Sequence, residues 1–223
     1  MKNVNLQEVI PLTPPVVNIA APEDGLLKTA DLSAPIPVRV RVWGSAEPGN
    51  YFQLMLNGHP KGDIRTITSD DKVGDVILVD IDNTLFSDNG TYRLGYRITS
   101  PNTELSADSP SIVLKVDLTP PGATLLAPMI FPNASFGDQL IGMLPGYAGM
   151  EPGDLIQTLC NGVLGPTHQV EPGELTLRPI EIAFEREYLK TLDADIALIE
   201  YQVTDRAGNQ SVGSLSVAMT LKL

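Results

Sequence analysis

The sequence predicts an all-β chain built from two β-sandwich domains in tandem, and three observations support this prediction. Short β-type runs separated by turn residues occupy most of the chain, and the second half repeats landmarks of the first half at a nearly constant spacing. Two adjacent prolines, Pro120 and Pro121, lie near the middle of the chain. Because proline fixes φ and donates no backbone N–H, no regular strand or helix continues through this segment.

Composition excludes several classes of protein. The chain has 223 residues and a net charge of −12, whereas nucleic-acid binding and attachment to anionic membranes require basic patches. No apolar run reaches membrane-spanning length, so we expect no membrane insertion. The single cysteine, Cys160, cannot form an intrachain disulfide, and its place in a β-type run indicates a small buried hydrophobe. Residues 1–15 lack the apolar core of a standard secretory signal.

The first half of the chain contains six clear β-type runs. In the run 37–43, apolar and polar residues alternate, which places Val38, Val40 and Val42 on one face of a strand. Residues 64–67 are a weaker seventh run. Six or seven short strands within about 105 residues are typical of a β-sandwich of immunoglobulin type. The six runs are 16–20, 37–43, 51–56, 75–81, 92–99 and 111–116.

A local motif supports the immunoglobulin-like fold. Asp88, Gly90 and Tyr92 form the pattern D-x-G-x-Y, which precedes strand F in such domains and makes a tyrosine corner. Leu94 stands where antibody domains carry their second cysteine. The similarity is therefore to the fold and not to antibodies.

An internal repeat defines the domains. Residues 47–58 (EPGNYFQLMLNG) align with 151–162 (EPGDLIQTLCNG) with six of twelve positions identical, and LTPP occurs at both 12–15 and 118–121. Residues 96–111 align with 201–216 through one tyrosine, one threonine and three serines. Landmarks in the same order at near-constant spacing indicate a duplicated unit. We predict an N-terminal arm at 1–11 and two tandem immunoglobulin-like β-sandwich domains, 12–117 and 118–223, joined by a short Pro-rich linker at 117–122.

The second domain departs from the first in two segments. Residues 131–150 are rich in glycine, proline and methionine and predict a long loop. Residues 182–192 predict either a short helix or an elaborated strand connection.

The segment 201–211 (YQVTDRAGNQS) resembles the strand F–turn–strand G signature of tandem bacterial immunoglobulin-like (Big-type) repeats, which occur in surface adhesins and exoproteins. Residues 117–121 (DLTPP) resemble the linker between such repeats. The resemblance implies a non-catalytic spacer or presentation module of a bacterial surface, secreted or appendage-type protein, within a larger array. We identify no catalytic residue, because none of the common catalytic motifs occurs in the sequence. From the resemblance, we expect the chain at the cell surface or secreted.

The same resemblance implies a metal site. Some bacterial immunoglobulin-like repeats bind Ca²⁺ at domain junctions through aspartates, and carboxylate oxygens are the ligands that calcium requires. Asp117 and Asp205 are the residues in the matching positions. The alternative for Asp205 is that its carboxylate accepts hydrogen bonds from turn amides. No other cofactor is expected.

Two alternative functions remain open. One is a glycan- or protein-binding domain that uses loops of the second domain, which an exposed apolar patch at Met129, Ile130, Phe131 and Met143 would favour. The other is a structural component of a phage-tail-like or injection assembly. An aromatic platform for sugars at Trp43, Tyr51 and Phe52 competes with simple packing of these residues in the core. We expect His59 and His168 to lie in loops.

Overall fold

The computed structural model describes residues 12–133, 137–175 and 179–221. The described chain divides between Asp117 and Leu118 into two compact parts, here called unit 1 and unit 2. Nearly all regular structure is β, and the one α-helix among the described residues, α1 (Arg186–Lys190), has five residues. The all-β prediction is therefore confirmed.

Unit 1 contains eight strands. They are β1 (Leu26–Leu27), β2 (Ile36–Arg41), β3 (Tyr51–Leu56), β4 (His59–Thr66), β5 (Val76–Ile81), β6 (Gly90–Ser100), β7 (Leu105–Asp108) and β8 (Ile112–Val116). One sheet has the order β1-β8-β6-β3-β4, with β7 also paired to β6. The other sheet pairs β2 with β5, and Val16 adds a bridge to Arg39 of β2. Short 3-10 helices occur at Thr29–Ser33 and Asn83–Phe86.

The two sheets of unit 1 enclose an apolar core. Strand β2 alternates between buried and exposed residues as predicted, so that Val38 and Val40 are fully buried. Phe52 of β3 and Tyr96 of β6 are also buried, and their rings meet edge to face at 6.0 Å. In constant-type immunoglobulin domains the fourth strand joins the sheet of A, B and E. Here β4 instead pairs with β3, through a turn at Asn57 and Gly58 (φ 51° and 79°).

Unit 2 contains six strands. They are β9 (Gln139–Leu144), β10 (Leu155–Cys160), β11 (Val163–Gln169), β12 (Ile180–Glu185), β13 (Ile196–Thr204) and β14 (Val217–Thr220). One sheet has the order β11-β10-β13-β14 and the other pairs β9 with β12. Two isolated bridges, Leu126 to Ser214 and Ile130 to Met143, tie the first segment of the unit to both sheets. A 3-10 helix spans Pro172–Leu175.

The arrangement of unit 2 follows that of unit 1. Strand β10 lies between its hairpin partner β11 and β13, just as β3 lies between β4 and β6. Both hairpins turn at Asn-Gly, and Asn161 and Gly162 have φ of 53° and 77°. A two-residue turn with φ > 0 at both positions matches the twist of the strands, which explains why Asn-Gly occurs in both repeats. The prediction of two tandem immunoglobulin-like β-sandwiches is confirmed.

Two predictions for unit 2 have different outcomes. The long loop predicted at 131–150 was wrong, because β9 lies inside it and buries Leu140, Gly142 and Leu144. Gly142 interrupts the alternation of apolar residues in β9, so the sequence pattern did not predict this strand. For 182–192 the strand continues to Glu185, and the short helix α1 follows directly.

Candidate functional site

The tyrosine and serine that the two repeats share form one hydrogen-bonded arrangement in each unit. The backbone N–H of Tyr96 donates to Ser109 Oγ at 2.9 Å, and that of Tyr201 donates to Ser214 Oγ at 3.0 Å. The Tyr96 hydroxyl donates to the Thr13 carbonyl at 2.9 Å, and the Tyr201 hydroxyl donates to the Ala127 carbonyl at 2.8 Å. The tyrosine hydroxyl thus attaches the first segment of each unit to the strand that carries the tyrosine, and the serine attaches the segment before the last strand of that unit. Burial raises the pKa of Tyr201 to about 12.

The predicted tyrosine corner is present in unit 1. The Tyr92 hydroxyl donates to the Asp88 carbonyl at 2.8 Å, and its ring meets Phe86 edge to face at 5.0 Å. A bond from this tyrosine back to the chain a few residues upstream fixes the corner that leads into strand F, which here is β6. In unit 2 the segment 193–197 has neither the glycine nor the tyrosine of this motif.

The turn before the central hairpin of each unit depends on one buried side chain. Asn50 Oδ1 accepts from the Glu47 N–H at 3.0 Å, and Asp154 Oδ2 accepts from the Glu151 N–H at 3.1 Å. The Tyr147 hydroxyl also donates to Asp154 Oδ2, at 2.8 Å. The other oxygen of Asp154 is buried and has no hydrogen-bond partner among the described residues.

Asp154 is an electrostatically unusual group. Only 1% of the residue is exposed, and this burial raises the pKa of its carboxyl above the ordinary value. Its hydrogen bonds lower the pKa in opposition, while the negative charges of Asp205 and Glu151 raise it further. The sequence reasoning missed this residue. The signal was present, because a carboxylate replaces a neutral amide at an aligned position of the repeat.

The two residues predicted to bind calcium lie in different units. Asp205 follows β13, and its Oδ1 and Oδ2 accept from the backbone N–H and the side-chain amide of Asn209, each at 2.8 Å. This is the turn arrangement that was the alternative reading. Asp117 is the last residue of unit 1 and is half-buried.

The donor set does not fit a calcium site formed by described side chains. No group of three or more His, Cys, Asp or Glu residues in the described ranges could hold a metal ion. Each carboxylate oxygen of Asp205 already accepts one hydrogen bond from Asn209. Calcium binding by Asp117 and Asp205 therefore stays a prediction from resemblance. Calorimetric titration of the chelated protein tests it, and the absence of both heat and a change in melting temperature would reject it.

The apolar residues predicted to bind a partner are largely part of the core. Met129 is 3% exposed, and Phe131 is half-buried with its ring 6.1 Å from that of Phe184. Met143 is half-buried and exchanges backbone hydrogen bonds with Ile130, whose side chain is 55% exposed. Burial of Met129 removes it from the surface patch that would have favoured binding. A binding role for Met129, Phe131 and Met143 stays a prediction that burial does not support.

The other reactive or aromatic side chains considered above lie in strands or in the core. Cys160 is fully buried in β10, and burial raises the pKa of its thiol. His59 opens β4 and is exposed, whereas His168 lies in β11 with Nε2 2.9 Å from both carboxylate oxygens of Glu174. The expectation that both histidines lie in loops was therefore wrong. Trp43 and Phe52 pack edge to face in the core, which excludes them from a sugar-binding platform.

Unit 1 carries a pocket on the outer face of its smaller sheet. The pocket has a volume of about 270 Å³ and combines apolar walls with two arginines from alternate residues of β2. Arg41 Nη1 donates to the Gly74 carbonyl at 3.2 Å. The lining residues are Thr13, Pro14, Val16, Arg39, Arg41 and Val76.

No helical segment in the described ranges has the length and apolar character that crossing a bilayer requires. No protein-family model and no curated protein matches the chain.

Two solved structures are distantly similar to this chain. The fibronectin(III)-like modules of CbhA from Clostridium thermocellum are 11% identical, with 93% of this chain and 94% of that chain covered and a TM-score of 0.44. The FN1–FN3 domains of chicken CNTN1 are 9% identical, with 96% and 69% covered and a TM-score of 0.41. The assignment of the fold rests on the sheets, cores and tyrosine corner described above.

Proposed function

We propose that the chain is a non-catalytic structural module, a spacer or presentation element of a bacterial surface, secreted or appendage-type protein built from immunoglobulin-like repeats. The observation that carries the proposal is what the two repeats have in common. Their shared tyrosines and serines hold strands together, and their shared Asn-Gly pairs form the hairpin turns. The duplication has thus preserved a framework, which is what a repeated spacer requires.

The mechanical argument starts from the sandwiches. Each unit has its own apolar core between two sheets, and strands of six residues are about 20 Å long. Residues 117–122 join the units through Pro120 and Pro121, and proline-rich linkers are semi-rigid. Two domains, each with its own packed core, and a stiff linker between them would hold a binding partner at a defined distance from its anchor.

A distance measurement between spin labels on the two units tests the spacer role. Labels at Asn102→Cys and Glu171→Cys use exposed positions, and the native Cys160 is fully buried and does not compete for label. We expect one narrow distance distribution. Replacing Pro120 and Pro121 by Gly-Ser should broaden it, because that linker behaves as a flexible coil. A broad distribution in the unaltered linker would contradict a spacer.

The cellular placement is tested separately. An adhesin-like or appendage-type protein should be cleaved by protease added to intact cells, whereas a protein inside the cell should be protected. Glycan-array binding is the corresponding test of the alternative function, recognition of a glycan by loops of unit 2. The sequence of the complete gene tests whether the chain belongs to a longer array or to a phage-tail-like assembly.

A further inference from the structure

Strand β5 of unit 1 has an open edge whose orientation follows from the hydrogen bonds of its neighbour. Arg39 of β2 exchanges both of its backbone hydrogen bonds with Val16, each at 2.9 Å. Arg39 lies opposite Leu78 of β5, so these two residues form a non-hydrogen-bonded antiparallel pair. The N–H and C=O of Leu78 therefore point away from β2. Since β5 pairs only with β2 among the described strands, they point to the outer edge of the sheet.

The side chains along this edge are apolar and exposed. Leu78 is 65% exposed and Val76 is 43% exposed, and both lie on the outer face of the sheet. Asp80 continues the same alternation and is exposed. Proteins usually protect an edge strand with lysine, proline, inward charges or a bulge, because an unpaired edge is a template for another strand. Neither Val76 nor Leu78 offers such protection.

Two other edge strands provide an internal comparison. Strand β12 is the counterpart of β5 in unit 2, and it exposes Glu181 and Glu185. Strand β4, the edge of the larger sheet in unit 1, carries Lys61 and Arg65 and has a register shift in its pairing with β3. These edges are charged, and negative or positive side chains disfavour pairing with another chain. Two exposed apolar residues at alternate positions thus distinguish β5 from β12, its counterpart in unit 2, whereas the edge strands β4 and β11 also expose apolar residues (Ile64, Val163 and Leu164).

We propose that β5 pairs with β5 of a second copy of this chain, antiparallel and across a twofold axis centred on Leu78. In this register the outward-pointing backbone of Leu78 meets its own counterpart, and Val76 lies opposite Asp80 of the second copy. Arg41 lies opposite Val76 on its other side. Arg41 and Asp80 of the second copy are then two strands, or about 10 Å, apart on the same face, within reach of the arginine side chain.

Charge complementarity selects a second copy over an unrelated segment. The chain has a net charge of −12, but the outer face beside β5 presents Arg39 and Arg41 from β2. Across the twofold axis, the face that carries Arg39 and Arg41 would lie beside β5 of the second copy, which presents Asp80 together with the apolar residues Val76 and Leu78. The same pairing is unavailable to β12, where two glutamates would meet two glutamates.

The extent of the pairing sets its strength. The backbone of β4 passes the far end of the edge at Gly62, where an added Cβ would lie 3.6 Å from the Asp80 carbonyl oxygen. The hydrogen bonds between the two strands are therefore those of the Leu78 residues, and Asp80 approaches the second copy through its side chain. One strand pair covers well under about 1,000 Å², so the association is weak and depends on concentration.

Sedimentation equilibrium of the full chain between about 10 µM and 1 mM, the range expected for a small interface, tests the proposal. We expect the weight-average mass to rise from 24.0 kDa toward twice that value. Leu78→Glu, which gives β5 the acidic character of β12, should weaken association at least tenfold. Leu105→Glu is the matched control, because Leu105 is 71% exposed on β7 of the same unit, and it should associate like the wild type.

Circular dichroism and the melting temperature of each variant establish that it is folded. A wild-type chain that stays monomeric at the highest concentration overturns the proposal, and so does a folded Leu78→Glu variant that associates like the wild type. The register has its own test. Asp80→Arg and Arg41→Asp should each weaken the dimer, and the double variant should restore it. Failure of the double variant to do so would overturn the twofold pairing centred on Leu78.

Discussion

Asp154 occupies in unit 2 the position that Asn50 holds in unit 1, and both residues are buried. The amide satisfies the Glu47 N–H without carrying a charge, whereas the carboxyl of Asp154 leaves one buried oxygen without a partner. An ionised carboxylate in such a site is costly unless its remaining hydrogen-bonding capacity is used. Burial accordingly raises the pKa of Asp154 in the folded protein.

The sign of the resulting pH dependence follows from this shift. The folded protein holds the Asp154 proton more tightly than the unfolded chain, so the stabilisation is complete below the ordinary pKa of 3.8 and is lost as pH rises through the folded pKa. Asp154→Asn removes this titration. We expect it to raise the free energy of unfolding at pH 7 by about 1 kcal/mol and to have a smaller effect at pH 4. Urea unfolding at the two pH values measures both.

The repeat supplies the reverse substitution as a control. Asn50→Asp places a carboxyl in the same turn of unit 1 and should lower the free energy of unfolding at pH 7 more than at pH 4. If Asp154→Asn left the pH dependence of the free energy of unfolding unchanged, the buried carboxyl of Asp154 would not be its source.

At the scale of elements, strand β1 depends on a glycine that precedes it. Gly25 has φ of +77°, and a Cβ there would collide with the backbone carbonyl oxygen of Val113. Its own carbonyl accepts from the Lys115 N–H at 2.9 Å, which begins the parallel pairing of β1 with β8. We expect Gly25→Ala to lower the free energy of unfolding of unit 1 by about 3 kcal/mol, from steric overlap and backbone strain together.

Gly49→Ala separates the two contributions to this loss. Gly49 also has positive φ, +95°, but an added Cβ there meets nothing within 4 Å. Its cost should be backbone strain alone, about 1 kcal/mol. Thermal unfolding of both variants measures the loss in free energy of unfolding, and equal losses would show that the Val113 carbonyl does not closely approach Gly25.

The strands that could be predicted from the sequence are those with uninterrupted alternation or a strong turn. Strand β3 has the predicted bounds, and the turn at Asn57 and Gly58 follows it. Strand β9 could not be found, because Gly142 takes a core position that Met129 and Phe131 fill: a Cβ there would lie 2.6 Å and 2.9 Å from their side chains.

The site residues also divide into those that the sequence predicts and those that only the fold identifies. The tyrosine corner was predictable because its bond is local, from Tyr92 to Asp88. The partners of Tyr96 and Tyr201 lie 83 and 74 residues away, so only the fold identifies them. The burial of Asp154 and the open edge at Leu78 likewise depend on contacts between distant strands, which residue patterns alone do not specify.

At the scale of the whole molecule, the two cores are built from separate stretches of chain. Among the described residues, the core of unit 1 includes Leu94 and none beyond Val116, and the core of unit 2 includes Ile199 and none before Leu126. Leu94 and Ile199 are both fully buried, at equivalent places in β6 and β13. Each core residue should therefore stabilise its own unit alone.

This separation predicts how the chain melts. Leu94→Ala and Ile199→Ala should each cost about 2–5 kcal/mol, through lost burial and the cavity left behind. For a domain of about 100 residues, such a loss lowers the melting temperature by about 10 °C or more. Scanning calorimetry should show two transitions in each variant, with a different one lowered in each. If either variant instead moved a single transition of the whole chain, the units would unfold as one cooperative body, since only coupling between the cores could transmit a cavity in one to the other.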